Sequence, residues 1–280
     1  LARPRVSYLM AQKLDQALAA IAQGSARVLA GGTDYFPSRT RGGPLPTLVD
    51  VSRVPEMLGI TKTENGWRIG GATTWSQLIA ADLPSAFNGL KSAAREVGSV
   101  QIQNTGTLAG NLCNASPAAD GVPALLSLGA SVALSSSAGT RLLPLQDFLT
   151  GVRQTSLRKV ELMSAVHVPD LPDHAKGYFA KLGSRRYLVI SITMVGAVLG
   201  LDRSGRVDFA QFAIGACSPV ARRQPDLETK LIGQRPADVR ITPDDLHGLS
   251  PIEDVRGDAH YRMIAAAEQC NRILREVMPR

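Results

Sequence analysis

Residues 106–120 read Gly-Thr-Leu-Ala-Gly-Asn-Leu-Cys-Asn-Ala-Ser-Pro-Ala-Ala-Asp, and residues 30–34 read Ala-Gly-Gly-Thr-Asp. These two stretches decide how the chain is read. In the shorter one, an apolar run over 27–30 that suits a buried strand breaks on Gly31-Gly32 and continues into Thr33 and Asp34. Backbone N–H groups there can approach an anion with no Cβ in the way, and the threonine hydroxyl adds a donor. Gly-Gly after a strand is also, and more often, simply a turn. The longer stretch sets Thr107, Gly110, Asn111, Ser116 and Asp120 close together, more hydroxyl, amide and carboxylate groups than a structural turn needs. Asp120 keeps two readings, the N-cap of the helix that follows or an acceptor for ribose hydroxyls.

Around these stretches the pattern is mixed. Leu14, Ala17, Leu18 and Ile21 recur at helical spacing before Gly24, which predicts a helix over 12–23; short buried strands follow over 27–30 and 47–51. Residues 59–63 and 67–72 flank Glu64-Asn65-Gly66, where Asn-Gly supplies the positive φ angles of a tight hairpin. Helices are expected over 74–81, 85–97 and 121–128, with strands at 132–134, 141–145 and 160–168, and residues 98–110 read as a glycine-rich loop. Val-Pro-Asp-Leu-Pro resists both helix and interior strand and marks a boundary at 169–172. Beyond it, long apolar strands over 190–201 and 206–216 join through Asp202-Arg203-Ser204-Gly205, and Met263, Ala267, Cys270, Leu274 and Val277 share one face of a last helix. Two units are implied: 1–170, divisible near 55, and an α+β unit over 171–280.

Composition excludes several classes. With 280 residues, 44% of them hydrophobic, and a formal charge of +7, the chain is neither disordered nor fibrous. Its Lys and Arg are dispersed and only 5% of residues are aromatic, so a basic nucleic-acid module lacks both its patch and its stacking platform. Cys113, Cys217 and Cys270 are odd in number and far apart, which suits neither a disulfide framework nor a metal knuckle, and the four histidines show no ligand spacing. No window approaches the roughly 18 apolar residues of a membrane span, and residues 1–15 lack the signal-peptide pattern, so a soluble cytoplasmic protein is expected. The dinucleotide, P-loop, zinc-protease and nucleophile-elbow motifs are all absent.

AGGTD, followed some seventy residues later by TLAGNLCNASPAAD, resembles the FAD-binding medium subunits of molybdenum hydroxylases, the xanthine, carbon monoxide and nicotine dehydrogenase group. The likeness extends through SLRKVELMSAVHVP and KLGSRR to the C-terminal region. It implies a mixed α/β, α+β architecture: a vanillyl-alcohol-oxidase-type FAD fold of two subdomains, then a domain with a three-stranded antiparallel sheet and helices. It also implies non-covalent FAD, its pyrophosphate held by the amides of Ala30, Gly31, Gly32, Thr33 and Asp34 and of Thr107, Leu108, Ala109, Gly110 and Asn111, with help from the two threonine hydroxyls. Asp120 would take an adenosine ribose hydroxyl, and Leu162 and Lys181 match positions near the flavin ring, where a cation stabilises negative charge. Ala109 stands where the family usually has the first of two glycines, which tightens the space near the phosphate.

The same resemblance implies partners: a molybdenum-binding large subunit and a 2Fe-2S small subunit, assembled as a dimer of heterotrimers, with the molybdopterin and clusters on those chains. The function implied is electron transfer through FAD to a final acceptor. The alternative is a self-contained FAD oxidase or reductase of the same fold. No acid or base stands beside the flavin motifs and no attachment residue is evident in either loop, which favours the subunit.

Overall fold

The computed structural model describes residues 7–22, 24–39 and 46–278. Gln23, the expected end of the first helix, and the first six residues of the expected N-terminal unit lie outside them. The helix Leu14–Ile21 buries Ala17, Leu18 and Ile21, the face its spacing predicts. It ends where Gly24, at φ +72°, donates its N–H to Ile21 O at 2.9 Å. The helix covers a three-stranded parallel sheet in the order Tyr8–Met10, Thr47–Asp50, Ala26–Leu29. Val49, Val51 and Met57 close this first core.

The second layer is a five-stranded antiparallel sheet in the order Ile60–Thr63, Gly66–Gly70, Leu162–Pro169, Ser131–Ser136, Gly139–Pro144. In its first hairpin Thr63 pairs with Gly66, so the turn is Glu64-Asn65. The positive angle belongs to Gly66 (φ +135°) rather than to an Asn-Gly pair. A Cβ at Gly66 would also stand 2.1 Å from Val168 O in the neighbouring strand, so the glycine serves close approach as much as turning. The expected 98–110 loop is instead two short helices, Val100–Thr105 and Leu108–Asn114, separated by Gly106 and Thr107. Ser99 and Thr107 cap them, accepting from the N–H groups of Ile102 and Gly110.

The C-terminal sheet has the three long antiparallel strands expected, Lys176–Leu182, Thr193–Leu201 and Val207–Gly215, and a fourth, the two-residue edge Arg222–Arg223. Both faces are buried, which explains the unbroken apolar run of its middle strand. Val198 and Ala213 face the core beneath helices Asn88–Glu96 and Gly121–Ser127, while Val195, Ala197, Leu199, Phe212 and Ile214 face helix Ala259–Val277. Gly196 lets Gly121–Ser127 approach: a Cβ there would lie 2.6 Å from Ala124 N. The last helix turns Ala267, Cys270 and Leu274 inward as its spacing predicts, with Met263 and Val277 at the margin.

Candidate functional site

Two adjoining cavities form a cleft between the parallel sheet and the second layer. The narrower, about 360 Å³, is lined by residues 27–35 and by Trp75, Val97, Ile102, Gly106, Thr107, Gly110, Asn111, Cys113 and Asn114. The wider, about 730 Å³, is lined by Ala30, Gly71, Ala109, Gly110, Cys113, Glu161, Leu162 and Met163 among others. Arg27, Val28, Ala30, Gly110 and Cys113 line both, so the two cavities are neighbours. Clefts of roughly 300–1,000 Å³ hold ligands of cofactor size.

The loop after strand Ala26–Leu29 forms one lip. Gly31 is obligatory there, since a Cβ would meet Thr105 O at 1.9 Å. Gly32 has φ +69°, and a Cβ on it would strike the Phe36 ring at 2.7 Å. The loop turns back through Phe36 N–H to Gly32 O at 3.1 Å. Among the described residues the N–H groups of Gly31, Gly32 and Thr33 have no backbone acceptor, and they lie on the cleft lining. Such a run of free amides fits an anion.

The opposite lip differs from the expectation. As the first turn of a helix, residues 108–111 spend their amides internally: Leu108 N–H on Thr73 O (3.0 Å), Ala109 on Gly71 O (3.0 Å), Gly110 on Thr107 Oγ1 (3.1 Å) and Asn111 on Thr107 O (3.1 Å). What this lip presents is the Thr107 hydroxyl proton, the bare Cα of Gly110 and the Asn111 carboxamide. Asn111 Oδ1 is buried, lines the narrow cavity through its residue, and has no hydrogen-bond partner. A buried orphan acceptor at a cleft wall fits a bound polar group. Leu108 is buried away from the lining, and Ala109 narrows the wider cavity beside Gly71 rather than the space around residues 31–34.

Asp120 and Lys181 come together, but in neither lining. Lys181 Nζ donates to Asp120 Oδ2 at 2.7 Å and Ser191 Oγ donates to Oδ1 at 2.6 Å, with both charged side chains more than nine-tenths buried. Burial pushes the Asp120 carboxyl above the ordinary carboxylate range, and Lys181 and Ser191 pull against that rise. Asp120 makes no cap bond to the helix it precedes, so the N-cap reading fails. Lys181 also reaches Glu96 O at 3.4 Å, one residue before Val97, which places the pair behind the narrow end of the cleft; Leu162 lines the wider part.

Several contributors went unread in the sequence. Trp75 forms a wall, seated where Thr74 and Gln77 make a capping box; Thr-x-x-Gln was the available signal. Asn114 donates to Asp34 Oδ1 at 2.9 Å and accepts from Arg153. Glu161 is gripped by Arg141 at 2.8 and 2.9 Å, and no local pattern announces that pair. Cys113 sits where the two cavities meet, and burial pushes its thiol up to about 12, so it stays protonated at neutral pH.

Residues 4–171 match the model of the FAD binding domain in molybdopterin dehydrogenase, and residues 178–277 that of the CO dehydrogenase flavoprotein C-terminal domain. The chain is 30% identical over 293 residues to the 6-hydroxypseudooxynicotine dehydrogenase complex subunit alpha of Paenarthrobacter nicotinovorans, covering 99% of this chain and 96% of that one. It is 34% identical over 212 residues to the nicotinate dehydrogenase FAD-subunit of Eubacterium barkeri, covering 74% and 71%. Its structure resembles carbon monoxide dehydrogenase from Hydrogenophaga pseudoflava with a TM-score of 0.86 at 26% identity, covering 97% of this chain and 96% of that one. A cleft with one lip of free amides and an orphan acceptor on the other, in a chain matched almost end to end, places this protein in the family of FAD-binding medium subunits of molybdenum hydroxylases, an oxidoreductase subunit whose cofactor is FAD.

Proposed function

We propose that this chain is the electron-transfer subunit of its complex, taking electrons from iron–sulfur clusters on a small subunit, fed by a molybdenum-binding large subunit, and passing them to a final acceptor. Bound FAD supplies the one- and two-electron chemistry. Within the chain, the amides of Gly31, Gly32, Thr33 and Asp34 and the hydroxyls of Thr33 and Thr107 hold its diphosphate, and Asn111 takes a polar group at the narrow end. Behind the narrow end, Asp120 keeps a lone pair beyond its bonds to Lys181 and Ser191 for a ribose hydroxyl, and Leu162 walls the wider end.

The observation that carries this reading is the run of free amides at residues 31–33 on the lining of a cleft of cofactor size. The cysteines support the division of labour: Cys113 lies on the cleft and Cys217 and Cys270 in the C-terminal core, so the three cannot ligate a common cluster. Free thiols also suit a reducing, cytoplasmic compartment, and among the described residues no helix is long and apolar enough to cross a membrane. The assembly proposed is a dimer of heterotrimers.

The test is anaerobic bleaching of the flavin absorbance. Purines, aldehydes and N-heterocycles are added to the FAD-loaded chain alone and then to the complex with both partner subunits. Bleaching is expected only in the complex. Rapid bleaching of the lone chain would overturn the subunit role in favour of a self-contained oxidase.

A further inference from the structure

The segment 113–116 and the hairpin Leu149–Gly151/Gln154–Thr155 meet the phosphate-facing loop through one chain of contacts. Asn114 Nδ2 donates to Asp34 Oδ1 at 2.9 Å, and Arg153 Nη1 donates to Asn114 Oδ1. Arg153 N–H donates to Ala115 O at 2.9 Å. Both residues of that last bond adopt left-handed backbone angles, φ +47° at Ala115 and φ +53° at Arg153, although neither is glycine. A side chain at a left-handed position persists only when its surroundings hold it there. Ala115 is the left-handed C-cap of helix Leu108–Asn114 and Arg153 lies in the two-residue turn between Gly151 and Gln154, and the bond between them joins the two.

Asp34 presents a difficulty that these contacts resolve. It belongs to the loop whose free amides face the cleft, and its carboxylate carries the same sign as a diphosphate. Left free, that side chain would repel the ligand its own loop is built to hold. The Asn114 carboxamide engages it, and the guanidinium of Arg153 polarises that carboxamide by binding its oxygen. Asn114 has one acceptor and one donor group in use, so its orientation is set from both sides.

We infer that Asn114 is a positioning residue for cofactor binding: clamped by Arg153, it holds the Asp34 carboxylate, and with it residues 31–34, in the geometry that receives a diphosphate. The inference rests on the reading in which that loop holds the diphosphate.

The experiment is calorimetric titration of the FAD-free full chain with ADP and with adenosine, which differ in the diphosphate alone, followed by FAD. The wild-type chain is expected to prefer ADP. Asn114→Ala, which changes no charge, is expected to lower that preference about tenfold with adenosine affinity and melting temperature near wild type, about the factor for one charge-assisted hydrogen bond. Arg153→Met is expected to lower it less, about threefold, since the Asn114–Asp34 bond survives without its clamp. In the Asp34→Asn/Asn114→Asp double variant the polarity of the bond is reversed and the Arg153 contact retained, and the preference is expected to return to within about twofold of wild type. An unchanged ADP preference in Asn114→Ala, or no recovery in the double variant, overturns the inference. Equal binding of ADP and adenosine by the wild-type chain would instead refute the diphosphate reading itself, a result distinct from failure of the clamp.

Discussion

Replacing Lys181 by methionine leaves Asp120 inside the protein with Ser191 as its remaining partner. The Lys181 and Asp120 side chains are only 8% and 9% exposed, so little solvent screening discounts their interaction. Removing one member of so buried a pair costs about 3–5 kcal/mol, because the other charge stays desolvated. Against a total stability of roughly 5–15 kcal/mol, that is a large fraction. The double variant Asp120→Asn/Lys181→Met, which removes both charges, is expected to cost less than Lys181→Met alone. The pH dependence has a definite sign. Burial already raises the Asp120 carboxyl above its ordinary value, and without Lys181 it rises further. An acid whose native value is raised loses stability as pH climbs from its unfolded value, near 4, to its native value. The Lys181→Met deficit should therefore shrink as pH falls from about 7 toward 4. Urea unfolding of the FAD-free chain across that range measures it. Deficits below about 1 kcal/mol at neutral pH, or a deficit that grows on acidification, would refute the reasoning.

Gly31→Ala is expected to abolish or weaken FAD binding by at least about tenfold, because its Cβ has the Thr105 carbonyl in its path; Gly233→Ala, at φ +79° with nothing within 4 Å and away from the cleft, should cost only about 1 kcal/mol of stability and leave FAD titration unchanged. Glu161 is held below the usual carboxylate range, first by the Arg141 guanidinium and also by the Arg158 N–H and the neighbouring charges, against the opposing effect of burial. Its contribution is complete above its unfolded value, about 4.3, and is lost as pH falls through the lower native value, so Glu161→Gln should flatten the acid limb of stability against pH below about 4.5.

Elements whose signal is local were legible. The Leu14–Ile21 helix, the hairpin at residues 60–70 and the C-terminal helix each carry a repeat or a turn that a short window contains. The stretch 98–110 misled because Gly98, Gly106 and Gly110 suggested a loop, while the two caps, Ser99 and Thr107, were the stronger signals. A cap needs one side chain and one N–H, and it tolerates glycine inside the following turn; at Gly110 a Cβ would stand 2.9 Å from the capping Thr107 Oγ1, so the cap itself favours glycine there. The edge strand Arg222–Arg223 has no periodicity to read, since two residues cannot show one.

The site divides along the same line. The free amides of residues 31–33 follow from glycine and sequence alone, and the structure leaves them open. The amides of residues 108–111 were expected to be open and are closed: Leu108 and Ala109 donate to Thr73 and Gly71, more than thirty residues away, and Gly110 and Asn111 to the capping Thr107. Pairings of that range, like Asp120 with Lys181 and Asp34 with Asn114, depend on sheet order, which periodicity does not specify. The consequence is a cleft with unequal lips: one supplies backbone donors and tolerates no side chain at Gly31, while the other supplies side-chain groups on a rigid helix. If residues 31–33 hold the phosphates as proposed, specificity for the rest of the cofactor falls to the second lip and to Leu162, where substitutions change contacts without disturbing a backbone cradle.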